Sequence, residues 1–198
     1  MRQLLEREAE NFFEKQGFDV VKRCVVKNKK ELQKVKLRFP LVVKVISKKI
    51  VHKAKSGGVV LGVKNIEELK KSFDKLMKLS GAEGLMIQEM FAERFQSIII
   101  GLKNTSEFGL VIMVGAGGGK VEEKKDVSFR MVPIRKKDVL DMIKDLKIDV
   151  WNKKLVVKNL LKMNKIAKKY PNIQEVDINP LAVIKNKAVV LDARIEVK

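Results

Sequence analysis

Short runs of β-branched and apolar residues recur along the whole chain, and only a few of the stretches between them repeat at helical spacing. LVVKVIS after Pro40, GVVLGV, GLMIQEM, FQSIIIGLK and FGLVIMVG each read as a strand bounded by turn residues. FDVVKRCVV reads as another, and DVSFRMVPI as one with partial alternation. IQEVDINPLAVI and KAVVLDARI close the chain as two strands joined by the tight turn Lys185–Asn186–Lys187. Helical spacing is confined to Leu4–Phe12, stopped by Gly17, a short piece near Lys29–Val35, and residues 66–79, 136–147 and 154–169, the last ended by Pro171. Strands follow one another with only turns between them in the second half, which predicts local pairing and an α+β arrangement of two lobes. Element order puts the boundary near residues 89–94, giving lobes 1–90 and 91–198.

A chain of 198 residues, 45% of them hydrophobic, can build two small lobes with real cores. No run approaches the roughly 18 apolar residues of a membrane helix. The N-terminal MRQLLEREAENFFEKQG carries four acids among its apolar positions, unlike a signal or transit peptide, and a cytoplasmic protein is expected. The single cysteine, Cys24, and the single histidine, His52, exclude an intrachain disulfide and a Cys/His metal cluster. Any metal must therefore sit on oxygen ligands, which favours magnesium or a similar hard ion. The net charge of +19 is unevenly spread: Lys22–Lys55 holds thirteen Lys or Arg against one acid, Glu31. Such a field draws phosphate-rich ligands, nucleic acid or an acidic partner, and equally fits a lysine-rich surface with no ligand.

Two glycine clusters border apolar strands: Gly57–Gly58 at the end of HKAKSGG, and Gly115–Ala116–Gly117–Gly118–Gly119 after VIMV. Glycines allow backbone N–H groups to approach an anion, although ordinary tight turns explain such clusters as well. Neither fits the G-x-x-x-x-G-K-[ST] or G-x-G-x-x-G patterns. His52 lies in the basic loop between Lys49 and Lys53. Lysine neighbours favour the neutral, nucleophilic imidazole and would stabilise a phosphorylated ring; a solvated loop histidine is the plain alternative. Near the C-terminus, Asp177, Asn179 and Asp192 fall on what read as neighbouring strands, with 177 and 179 on one face. Converging carboxylate and amide oxygens suit magnesium, and Asp and Asn at strand ends serve turns equally well.

The series PLVVKVIS, HKAKSGGV, GLMIQEM, IIIGL, FG, GAGGG, KDVSFRMVPI, EVDINP and LDARI resembles the β subunit of ADP-forming acetyl-CoA synthetases, an ATP-grasp module, over about Leu4–Ile195. The resemblance implies two α+β lobes with a nucleotide cleft between them, ATP/ADP and Mg²⁺ as cofactors, and a CoA-binding α subunit as partner. It implies that Lys44 contacts the nucleotide phosphates and that Gly57 and Gly58 cover them. Gln88, Glu89 and Met90 would meet the adenine edge through backbone groups. Asn179 and Asp192 would hold Mg²⁺, with Asp177 orienting the histidine and His52 carrying phosphate between subunits. The implied overall reaction is acyl-CoA + ADP + phosphate ⇌ carboxylic acid + CoA + ATP. The chain departs from the family pattern at Lys48, Lys49, Ala54 and Lys55 in the histidine loop, at Ser97, at Lys103–Thr105 and Phe108–Leu110, and at Gly119–Lys120. IDVWNKKLVV stands where a glycine- and arginine-bearing loop is expected. The competing reading is a diverged, non-catalytic nucleotide binder, or a binder of nucleic acid through its basic surface. Few aromatic residues and no recognition motif accompany the lysines, which speaks against nucleic acid.

Overall fold

The computed structural model describes every residue except 48, 51, 52, 54 and 119–125. In chain order these form β1 (Arg2–Gln3), α1 (Glu6–Lys15), β2 (Asp19–Val20), β3 (Arg23–Val26), a 3₁₀ turn (Lys29–Lys34), β4 (Leu41–Ile46) and β5 (Val59–Val63). There follow α2 (Ile66–Leu76), β6 (Gly84–Glu89), β7 (Gln96–Thr105), β8 (Gly109–Ala116) and β9 (Val127–Met131). The chain ends with α3 (Lys136–Lys144), α4 (Lys153–Lys169), β10 (Ile173–Val183), β11 (Ala188–Val190) and β12 (Ala193–Val197). The α+β expectation holds, and most elements fall where the sequence puts them.

Residues 21–92 form one compact unit. Its four strands lie in the order β3-β6-β4-β5, all antiparallel. Odd positions of β4 and β6 (Leu41, Val43, Val45; Leu85, Ile87) form a core with Leu69, Phe73 and Leu76 of α2. The helix starts where it does because Asn65 accepts the Glu68 N–H at 2.9 Å while Glu68 accepts the Lys64 N–H at 2.8 Å, satisfying one donor of the first turn and the one just before the cap.

The other unit joins residues 1–20 to 93–198. Its main sheet runs β1-β12-β10-β7-β8-β9, with β11 beside β10 and β2 beside β11. Ile98, Ile100, Leu102, Ile112 and Val114 face the buried residues of α3 and α4, among them Val139, Met142, Val156, Leu160 and Met163. Ala9, Phe13 and Phe18 complete that same core. The break between Ala92 and Glu93 lies within the expected 89–94, whereas the leading helix, placed by chain order in the first lobe, packs with the C-terminal strands. The physical reason is aromatic packing, since Phe12 stands 5.0 Å from the Tyr170 ring and Phe13 lies 5.2 Å from Phe18.

Two strands are more broken than their sequences suggest. FDVVKRCVV divides at Val21–Lys22, leaving β2 in one unit and β3 in the other. KAVVLDARI divides at Leu191–Asp192 into β11 and β12. Opposite that break, β10 carries a register shift against β7 between Ile178 and Leu181. An extra residue in one strand frees side chains from the regular ladder and re-aims them, a frequent feature beside functional sites.

Candidate functional site

In the unit of residues 21–92, Lys44 lies opposite Met86 on β6, and Gln88 lies two pairs further along, opposite Val42 and in register with Arg23 of β3. These positions share the sheet face that points away from α2. Lys44 and Gln88 are both buried, at 8% and 2% exposure, unusual for side chains of this kind. The structure thus brings together two expected site residues and adds Arg23, which sequence spacing did not single out because its register is set across strands.

The glycines after the basic loop differ in what they do. Gly57 is exposed, with a positive φ of 69°. Gly58 is buried; its N–H donates to the Lys53 carbonyl at 2.7 Å and its own carbonyl accepts the Val45 N–H at 2.8 Å. A Cβ on Gly58 would come within 2.7 Å of Val45 Cγ1, so only glycine lets the loop re-enter the sheet beside Lys44. His52 lies outside the described residues. At the end of β6, the Glu89 N–H donates to Lys22 O and the Met90 N–H to Pro40 O, both at 2.9 Å. Neither amide is therefore offered to an adenine edge.

In the other unit, the final strands bring Asn179 and Asp192 side by side: the Asn179 N–H donates to the Asp192 carbonyl at 3.2 Å. Asn179 Oδ1 also accepts the Gly118 N–H at 3.1 Å, tying the amide to the glycine turn after β8. That turn is anchored at its start by Gly117 N–H to Ser97 O at 2.8 Å. Glycine is needed there because a Cβ on residue 117 would stand 2.6 Å from Ser97 Oγ. Asp177 sits two residues back on β10, between Gly101 and Arg194. Its Oδ1 is buried without a hydrogen-bond partner among the described residues. Burial pushes its carboxyl above the usual range, against the opposing pull of the Arg194 guanidinium, with Glu175 adding to the rise.

Two oxygen-bearing side chains next to backbone amides form a small hard-ligand set. No group of three or more His, Cys, Asp or Glu that could hold a metal occurs among the described residues. An ion held by Asn179 and Asp192 would have to complete its shell with water and ligand oxygens, which is how magnesium is usually bound. The residues fit such an ion.

KDVSFR has its own structural logic. Ser128 Oγ and Arg130 Nη2 both donate to Asp145 Oδ2, each at 2.8 Å, and together hold that carboxyl below its ordinary range. Alternate residues of β9 thus tie it to the end of α3.

Among the described residues, no helix is long and apolar enough to cross a membrane. The ATP-grasp domain family matches residues 1–197. The chain is 37% identical over 205 residues to acetate–CoA ligase [ADP-forming] II of Archaeoglobus fulgidus, an alignment covering 98% of this chain and 30% of that protein. It is 32% identical over 212 residues to the β subunit of acetate–CoA ligase [ADP-forming] I of Pyrococcus furiosus, covering 98% of this chain and 91% of the subunit. Among solved structures, acetyl-coenzyme A synthetase 1 of Ca. Korarchaeum cryptofilum, in complex with coenzyme A and Ca-AMPCP, superposes with a TM-score of 0.92 at 30% identity, covering 100% of this chain and 94% of that one. The chain spans less than a third of the first of these relatives and nearly the whole of the second. It belongs to the ATP-grasp family and, within it, to the β subunits of the ADP-forming acetate–CoA ligases.

Proposed function

We propose that this chain is the nucleotide-binding subunit of an ADP-forming acyl-CoA synthetase, moving a phosphoryl group between a phosphohistidine and ADP. The observation that carries this reading is the Asn179–Asp192 pair held beside the glycine turn, two oxygen-bearing side chains suited to a metal-bound phosphate chain. Lys44 supplies a compact positive charge for the phosphates, and Gly57 and Gly58 allow the backbone to approach them. Magnesium, when bound by Asn179 and Asp192, would neutralise charge on the transferring group. Gln88, Glu89 and Met90 flank the adenine; since two of their amides are taken, base recognition falls to other groups of that segment.

His52 accepts the phosphoryl group from a CoA-binding α subunit and delivers it to ADP. In that delivery the N–P bond of the imidazole breaks as the terminal oxygen of ADP forms its bond to phosphorus, and neutral imidazole leaves. Asp177 orients the imidazole for attack. Splitting the transfer at a histidine replaces one long displacement by two between aligned groups.

The test is incubation of the chain with γ-labelled ATP, Mg²⁺ and its α partner, followed by acid treatment. Acid-labile label is expected on the native chain and absent from His52→Ala. Label retained by the variant would remove His52 from the reaction.

A further inference from the structure

A closed path of hydrogen bonds begins and ends at Ala116–Gly117, where the glycine turn starts, and one buried carboxylate completes it. Asp126, only 6% exposed, accepts the Lys147 N–H on Oδ1 at 2.8 Å and the Ile148 N–H on Oδ2 at 3.1 Å. The same joining segment between α3 and α4 continues into Gln96: Gln96 Nε2 donates to the Asp149 carbonyl at 2.7 Å, and the Trp151 N–H donates to Gln96 Oε1 at 2.9 Å. Ser97, next in the chain, accepts the Gly117 N–H, while the Asp126 carbonyl accepts the Ala116 N–H at 3.0 Å. The path runs from Gly117 through Ser97 and Gln96 to residues 147–151, then through Asp126 back to Ala116.

We propose that Asp126 is a positioning residue for nucleotide binding: its buried carboxylate locks the start of β9, paired with Ala116 just before Gly117, to Lys147 and Ile148. That lock holds Gly117, Gly118 and the Gly118–Asn179 contact in place, and with them the Asn179 side chain proposed above as a metal ligand. The inference rests on the nucleotide-binding role proposed above. Its physical basis is that a charged acceptor taking two backbone donors in a buried place resists loss of either bond. Groups held in the binding geometry beforehand need no ordering when the ligand arrives. The IDVW stretch, which departs from the family pattern, thereby gains a structural purpose, since it presents the amides and carbonyl that Asp126 and Gln96 grip.

Titration calorimetry of the full chain with Mg-ADP tests this, using Asp126→Ala, Asp126→Asn and Gln96→Ala. Asp126→Ala is expected to raise Kd about ten-fold, the effect of one charge-assisted bond pair, and Asp126→Asn about three-fold, since its amide oxygen still accepts one donor. Hydrogen exchange at Lys147, Ile148 and Gly118 should quicken in the same order. A purely structural part for Asp126 would instead lower the fraction of chain that binds, at unchanged Kd. Unchanged Kd in folded Asp126→Ala overturns the proposal. If that variant does not fold, unchanged Kd in both Asp126→Asn and Gln96→Ala does so. Failure of the native chain to bind Mg-ADP would overturn the nucleotide-binding reading itself.

Discussion

Asp192 and Asp177 stand close together in the fold, yet replacing each by its amide should have opposite consequences. Asp192 borders Asn179, where a carboxylate would meet a cation. Asp192→Asn is expected to weaken Mg-ADP binding about ten-fold in calorimetry, and unchanged affinity would take Asp192 out of the metal site. Asp177 has a buried oxygen without a partner among the described residues and a carboxyl raised by burial. The folded chain therefore holds the Asp177 proton more tightly than the unfolded chain does. The stability this contributes is present at acid pH and is lost as pH rises through the folded value. Asp177→Asn should raise the midpoint of thermal unfolding of the metal-free chain by about 2 °C at neutral pH, and by nothing once both forms are neutral in acid. A lower midpoint at neutral pH would show that the Arg194 pair outweighs the burial. At this scale the sequence was informative where side chains meet through a short turn. The hairpin at Lys185–Lys187 is enough to bring Asn179 near Asp192. It was silent on Asp126, Gln96 and Arg23, whose partners are backbone groups or strands far along the chain and leave no mark in local spacing.

Among the elements, strands were the more legible because a run of β-branched residues keeps its character wherever it is packed. Their interruptions were not, because the break at Leu191–Asp192 and the register shift in β10 answer each other across strands. The tie between β9 and the end of α3 shows how an element is held by side chains rather than by propensity. Ser128 and then Arg130 are the chief causes that keep the Asp145 carboxyl below its usual range. That contribution to stability is present above the ordinary carboxylate range and is lost as pH falls through the lower folded value. Ser128→Ala should therefore unfold at a less acid pH than the native chain when followed by circular dichroism across an acid titration. The difference should vanish once Asp145 is protonated in both. Coincident acid transitions would show that the tie adds nothing beyond what Arg130 supplies alone.

For the whole molecule, the division into units decides which substitutions are felt together. Residues 1–20 precede the 21–92 unit in the chain but fill the core of the other, where Phe13 is fully buried among residues that include Ile195 and Val176. Chain order misassigned the leading helix because an amphipathic helix such as Glu6–Lys15 shows which of its faces is apolar but not which core will take that face. The consequence is measurable. Phe13→Ala removes a buried aromatic ring and should cost about 3–5 kcal/mol, a loss that falls on the unit containing Phe13. Native-state hydrogen exchange should therefore speed up at the amides of β10 and β12, more than 150 residues away in sequence. The amides of β4 and β6, which sit on a separate core, should keep their native protection. Equal acceleration in both sheets would mean that the two cores unfold as one, and that the units are divided in geometry but not in energy.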